Sequence, residues 1–276
     1  MTNRTGVFFA LLVVCLVGVT AFAGVSITPL ATDILLPPGT AHEGTIMLGN
    51  AGDAPVVVEA RALGFTTFKG VSILLEPDMD RFPYSGRDLL TITPTELVIQ
   101  PGAIATFYYR IVMPENLYPH GGRYVAAVFR VRPPAEEGEV VVAMQLASLF
   151  LLSPGVNTAP SLHVENARVR QDDENPRLIR WTGLISNDGN VHIDDEQMEG
   201  FLQITDQDGI IVGQVSFNPR TLLPMNVRRL TVEWLAPDTL LSGTYQLKMT
   251  IFIHGYGPVE NEPLKYTFIS LVELDF

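Results

Sequence analysis

Apolar and polar residues alternate along most of this chain with a period of two. In Arg228-Arg229-Leu230-Thr231-Val232-Glu233-Trp234, the residues Leu230, Val232 and Trp234 fall on one side and polar residues on the other. That period belongs to a half-buried strand, and no useful length of chain keeps the three-to-four-residue spacing of an amphipathic helix. Strands are predicted over 25–32, 43–48, 56–65, 90–93, 96–99, 104–113, 123–131 and 140–152, then over 163–170, 178–186, 198–205, 210–217, 227–235, 244–254 and 264–274. Turn residues that tolerate positive φ punctuate them, as in Asn50-Ala51-Gly52-Asp53 and Asp206-Gln207-Asp208-Gly209. Residues 66–89 are the least regular stretch, with Lys69-Gly70, Glu76-Pro77, Phe82-Pro83 and Ser85-Gly86. A short hairpin inside a long connection is expected there.

The strand pattern repeats. The first copy runs Gly49-Asn50-Ala51-Gly52-Asp53, then Val98-Ile99-Gln100-Pro101-Gly102, then Gly121-Gly122-Arg123-Tyr124-Val125. The second runs Ser186-Asn187-Asp188-Gly189-Asn190, then Leu222-Leu223-Pro224, then Ser242-Gly243-Thr244-Tyr245-Gln246. A module used twice, with about seven strands in each copy, predicts an all-β protein of two tandem immunoglobulin-like β-sandwich domains. Residues 154–160 have the composition of a linker, and so short a linker should hold the modules close.

The first residues read as a signal peptide. Arg4 precedes an apolar run over 7–19, and Ala21-Phe22-Ala23 is a small-x-small cleavage site before Gly24. The predicted organisation is 1–23 signal peptide, 24–153 first domain, 154–160 linker and 161–276 second domain. The alternative for the leader is an uncleaved anchor at the lower end of spanning length. The single cysteine, Cys15, lies in the leader, so thiol catalysis and cysteine-ligated metal are excluded from the mature protein. The chain has a net charge of −12, and losing the leader removes one basic and no acidic residue. This balance argues against nucleic acid or anionic lipid as the main partner, and no membrane insertion is expected after cleavage.

Catalytic motifs are missing: there is no Gly-x-Ser-x-Gly elbow, phosphate loop or His-Glu-x-x-His. The histidines His42, His120, His163, His192 and His254 are scattered and read as surface or strand-end residues. Asp172-Asp173-Glu174, Asp194-Asp195-Glu196, Asp206 and Asp208 could supply oxygen ligands for calcium, but none has the spacing of a calcium loop, and they read as solvated turns. No enzyme activity, cofactor or metal is expected.

The strand over 140–152 is apolar on both faces. Val140, Val142, Met144, Leu146 and Phe150 share one, while Val141, Ala143, Ala147, Leu149 and Leu151 share the other with Gln145 among them. Such a strand needs cover on both sides. Either the second face is covered internally, by residues 66–89 or by the second module, or the edge of this sheet accepts a strand from another protein. In the second case Val141, Ala143, Gln145, Ala147, Leu149 and Leu151 are the partner-binding residues. The C-terminal alternation of Tyr266, Phe268, Val272, Leu274 and Phe276 also fits the closing strand of an outer-membrane barrel. Strands with no polar lumen face, and the two-module repeat, argue for a sandwich.

Val25-Ser26-Ile27-Thr28-Pro29, the Gly49–Asp53 turn, Leu97-Val98-Ile99-Gln100-Pro101-Gly102, Arg123-Tyr124-Val125-Ala126-Ala127-Val128-Phe129 and the apolar strand ending at Leu152 resemble the N-terminal module of bacterial pilus-assembly (PapD-like) periplasmic chaperones. They equally resemble related immunoglobulin-fold modules of bacterial cell-surface proteins. The resemblance implies an exported, periplasmic or surface-associated, chaperone-like protein that binds extracytoplasmic partners such as pilin-like or surface subunits by strand addition. It also implies a basic carboxylate anchor on the first and last strands of that module. Residues 24–38 and 139–152 contain no Lys or Arg, so that anchor is missing here. The alternative function is an adhesive module binding cell-wall glycan, with Phe82, Tyr84 or Tyr118 as aromatic platforms.

Overall fold

The computed structural model describes residues 24–135, 142–256 and 262–276. The predicted leader, and Val140 and Val141 of the doubly apolar strand, lie outside the described residues. Two immunoglobulin-like β-sandwiches follow one another. The first contains β1 (Val25–Thr28), β2 (Ala31–Leu35), β3 (Ala41–Asn50), β4 (Val56–Phe68), β5 (Val71–Leu75), β6 (Leu90–Thr93), β7 (Glu96–Ile99), β8 (Ile104–Val112), β9 (Arg123–Arg132) and β10 (Met144–Ser153). Its sheets run β1-β3-β8-β6 and β2-β10-β9-β4-β5, with β7 beside the start of β4. The second contains β11 (Leu162–Gln171), β12 (Leu178–Asn187), β13 (Met198–Thr205), β14 (Ile211–Phe217), β15 (Val227–Leu235), β16 (Gly243–Ile253) and β17 (Leu264–Leu274), in sheets β11-β12-β15 and β14-β13-β16-β17.

Each sandwich has its own core. Ile46, Leu48, Phe107 and Ile111 meet Val58, Phe129, Phe150 and Leu152 in the first. Trp181, Leu202, Val232, Leu247 and Ile251 form the second, and Tyr266, Phe268, Val272, Leu274 and Phe276 of the C-terminal segment pack against or within it. The C-terminal alternation thus faces a sandwich core. The hairpin expected within 66–89 is β4–β5, turning at Lys69-Gly70.

Residues 25–32, predicted as one strand, are two strands in opposite sheets. β1 pairs antiparallel with β3, and β2 pairs parallel with β10. Pro29 stands between them, and a residue without an N–H cannot continue a ladder, so the chain crosses from one sheet to the other there.

The repeated motif is a pair of matching pins. Asn50 donates from Nδ2 to the carbonyls of Ala54 (2.8 Å) and Ile99 (3.1 Å), and its Oδ1 accepts the Gly52 N–H (3.0 Å). Asn187 donates to Val191 (2.8 Å) and Leu222 (3.0 Å), and accepts the Gly189 N–H (2.9 Å). Each buried amide ties its own turn to the segment that precedes the proline, β7 in the first module and the bridge residue Leu222 in the second, so its polar atoms are satisfied far from water. The two tyrosines have diverged. The Tyr245 hydroxyl donates to the Leu241 carbonyl at 2.5 Å, closing a tyrosine corner within its own module. The Tyr124 hydroxyl instead reaches the second module.

Candidate functional site

The candidate site is the edge where β2 stops covering β10. β10 pairs with β9 from Met144 to Leu152. On its other side β2 covers only Leu149 to Ser153. The Leu149 N–H donates to the Leu30 carbonyl at 2.9 Å, and the Ser153 carbonyl accepts from the Leu36 N–H at 2.8 Å. Odd-numbered residues therefore turn their backbone groups toward β2. By the two-residue period of a strand, the N–H and C=O of Gln145 and Ala147 point off the same edge, where no described strand pairs with them.

The six sequence-predicted residues therefore separate. Gln145 and Ala147 stand on the open length of edge, with Ala143 just before β10. Leu149 and Leu151 are paired on both sides, to β9 and to Ala31 and Asp33 of β2. Their edge is closed, because a ladder position holds one neighbour per side. Val141 lies outside the described residues.

The second face of β10 is covered from within. Ala147, Leu149 and Leu151 pack in a third cluster with Leu63, Phe65, Tyr124, Ala126, Val128 and Leu223, under Leu74, Phe82 and Tyr84. The irregular connection and the second module both contribute cover. Phe82 and Tyr84 lie edge to face at 5.7 Å, and Phe82 lies 6.0 Å from Tyr124. Two of the three supposed aromatic platforms are thus packing residues, because the doubly apolar sheet needs their area. Tyr118 alone stands out, 91% exposed.

Under this cluster a polar chain joins the sandwiches. The His192 backbone N–H donates to the Tyr124 hydroxyl oxygen at 2.7 Å, and the same hydroxyl lies 3.3 Å from His192 Nδ1. His192 Nε2 lies 2.9 Å from Asp33 Oδ2, so β2, β9 and the second module meet at one imidazole. Burial pushes the Tyr124 hydroxyl well above the usual phenol range, which keeps it a neutral donor. His192 is 3% exposed and belongs to no strand, so it is neither the surface nor the strand-end residue expected from the sequence. Val191 and Ile193 on either side are also buried, and that apolar flanking was the available signal.

Asn226 joins the modules at a second point. Its Oδ1 accepts the Thr67 N–H at 3.0 Å, its Nδ2 reaches Thr66 Oγ1 at 3.0 Å, and it is buried. The linker is stitched down as well, with the Ala159 N–H on Asn190 Oδ1 (2.8 Å) and Asn190 Nδ2 on the Asn157 carbonyl (2.9 Å).

Neither a protein-family model nor a curated protein sequence matches the chain. Similar solved structures are the class 5 fimbriae chaperone CfaA (13% identity, 90% of this chain, 100% of that one, TM-score 0.46), a Salmonella enterica complex of SafA pilin with the SafB chaperone (11%, 89%, 96%, 0.37) and the E. coli chaperone DraB (12%, 90%, 97%, 0.38).

Arg123, the basic residue at the start of β9, is turned inward. Its guanidinium donates to the carbonyls of Gly122 (2.7 Å) and Pro119 (2.7 Å), and burial lowers its pKa from the ordinary arginine value. The acidic groups serve local structure. Asp172 pairs with Arg180 and accepts the Asn175 N–H (3.0 Å), Asp194 caps a short 3-10 turn, and Asp206 accepts the N–H groups of Asp208 (3.0 Å) and Ile210 (2.8 Å). Among the described residues, no three His, Cys, Asp or Glu side chains gather as a metal site.

Proposed function

We propose that this protein is an exported, non-catalytic binding protein, chaperone-like, that takes an extended segment of an extracytoplasmic protein by strand addition on the first sandwich. The observation that carries the reading is the open ladder at Gln145 and Ala147, continuous with the half-buried apolar residues Met144 and Leu146. An incoming strand would gain main-chain hydrogen bonds there and lengthen the ladder that β2 begins. The leader motif supplies the export, and the missing Lys and Arg on both edge segments mean that recognition relies on backbone and apolar contacts rather than a charged clamp.

Ala147→Pro tests this directly. Its N–H points away from β9, so proline deletes an edge donor without breaking the β9 ladder. Incorporating a photo-crosslinking residue at position 145 in cells, followed by mass spectrometry, should identify partners. The proline variant should cut the cross-linked yield at least about tenfold, the equivalent of ~1.4 kcal/mol, while its melting curve stays cooperative. Equal yield from a folded Ala147→Pro protein, or no cross-link at 145 above that from a probe on β17, overturns the reading.

A further inference from the structure

The outer face of the β11-β12-β15 sheet carries an arginine cleft that strand addition does not use. An open cleft of about 580 Å³ is lined there by Arg168, Arg170, Arg180 and Arg229, with Thr182 between them. Arg170 is directly opposite Arg180, Arg168 is opposite Thr182, and Arg229 is opposite Leu184. Like charges in direct cross-strand register destabilise a sheet unless something compensates them. For Arg180 the compensation is visible, since it pairs with Asp172 and, at 2.7 Å, with Glu233.

Arg168, Arg170 and Arg229 are exposed and make no ion pair or side-chain hydrogen bond among the described residues. Acidic residues outnumber basic ones 30 to 18, and other arginines are committed, Arg61 to Glu76, Arg132 to Glu59 and Arg177 to Asp238. Asn166, at the β-bulge between Glu165 and Arg168, has φ 53, and the bulge re-aims the strand beside the cleft. Strands lie about 4.8 Å apart and rise about 3.4 Å per residue. The Arg168 and Arg229 backbones, two strands apart, are therefore within reach of a common ligand for side chains this long. Asp172 and Asp173 line the other end and leave the basic end at Arg168, Arg170 and Arg229.

We infer that this cleft is a binding site for the phosphate group of a small, soluble ligand. Three separately anchored guanidiniums need at least three acceptor oxygens, which a tetrahedral dianion offers and a single planar carboxylate does not. Size follows from screening. Over a Debye length of about 8 Å a small anion meets the local arginines, whereas an extended polyanion or a membrane meets the whole acidic molecule.

Titrating the 15N-labelled protein with inorganic phosphate near pH 8, and following the arginine Nε–Hε signals by NMR, tests the site. Saturable shifts at Arg168, Arg170 and Arg229 are expected, half-complete by roughly 1 mM. Chloride at equal ionic strength should leave those signals in place. The Arg168→Ala, Arg170→Ala double variant, whose altered residues are exposed, should melt like the parent and bind at least tenfold more weakly. Shifts that stay linear, that chloride reproduces, or that persist in the double variant overturn the site. Preferential binding to phosphatidic acid vesicles without saturation by free phosphate overturns the small-ligand assignment.

Discussion

Met225 occupies the turn position that Gly102 holds in the first module. Both N–H groups donate to the carbonyl of the pin asparagine, Gly102 to Asn50 at 2.7 Å and Met225 to Asn187 at 2.8 Å. Both have left-handed backbone, φ 71 and φ 61. A side chain costs about 1–2 kcal/mol in that region, while glycine adds back a smaller cost in the unfolded chain. Met225 is 63% exposed and buries little, so Met225→Gly should stabilise the protein by about 0.5–1 kcal/mol in urea denaturation; an unchanged midpoint would show that the turn has relaxed. The pins themselves were legible as an Asn-x-Gly motif recurring with its later proline. What the motif could not show is which carbonyls the amides hold, because Ile99 and Leu222 reach them only through folding.

At the scale of elements, the β4–β9 ladder is bridged on one face by Glu59, which accepts from Arg132 (3.0 Å) and faces Arg130 (3.5 Å). The Arg132 hydrogen bond is the largest influence on the Glu59 carboxyl and holds it below the usual carboxylate range. A lowered folded pKa gives stability that is present above the unfolded carboxylate value and disappears as pH falls through the folded one. Stability should therefore drop on acidification below about pH 4.5, and Glu59→Gln should flatten that drop by roughly 0.5 kcal/mol, a small figure because the pair is partly solvated. Equal acid slopes for the two proteins would show that the pair contributes nothing. Most strands were legible from their alternation. The β1–β2 crossing was not, since Ile27 and Ile34 are buried in one core and alternation alone does not say which sheet a segment joins.

At the scale of the molecule, the two sandwiches meet at a hydrogen-bonded junction. Gly122 N–H donates to the Asn190 carbonyl at 2.8 Å, and Gly121 beside it has φ 129. A Cβ on Gly121 would lie 2.0 Å from the Asn190 carbonyl oxygen. Gly121→Ala should therefore cost about 1–3 kcal/mol and raise hydrogen exchange at Gly122 and His192 ahead of either core; exchange confined to global unfolding would mean that the junction tolerates the methyl. The sequence by itself determined an all-β chain of two repeated sandwiches, a strand that must be covered on both faces, and the lack of a basic anchor. These are local properties, written in period and composition. Only tertiary structure decided that Phe82, Tyr84 and Leu223 supply much of the cover, that the open edge shrinks to the start of β10, that His192 is buried between modules, and that uncommitted arginines share one face. Alternation reports that a face is buried; what buries it comes from residues far away in the chain.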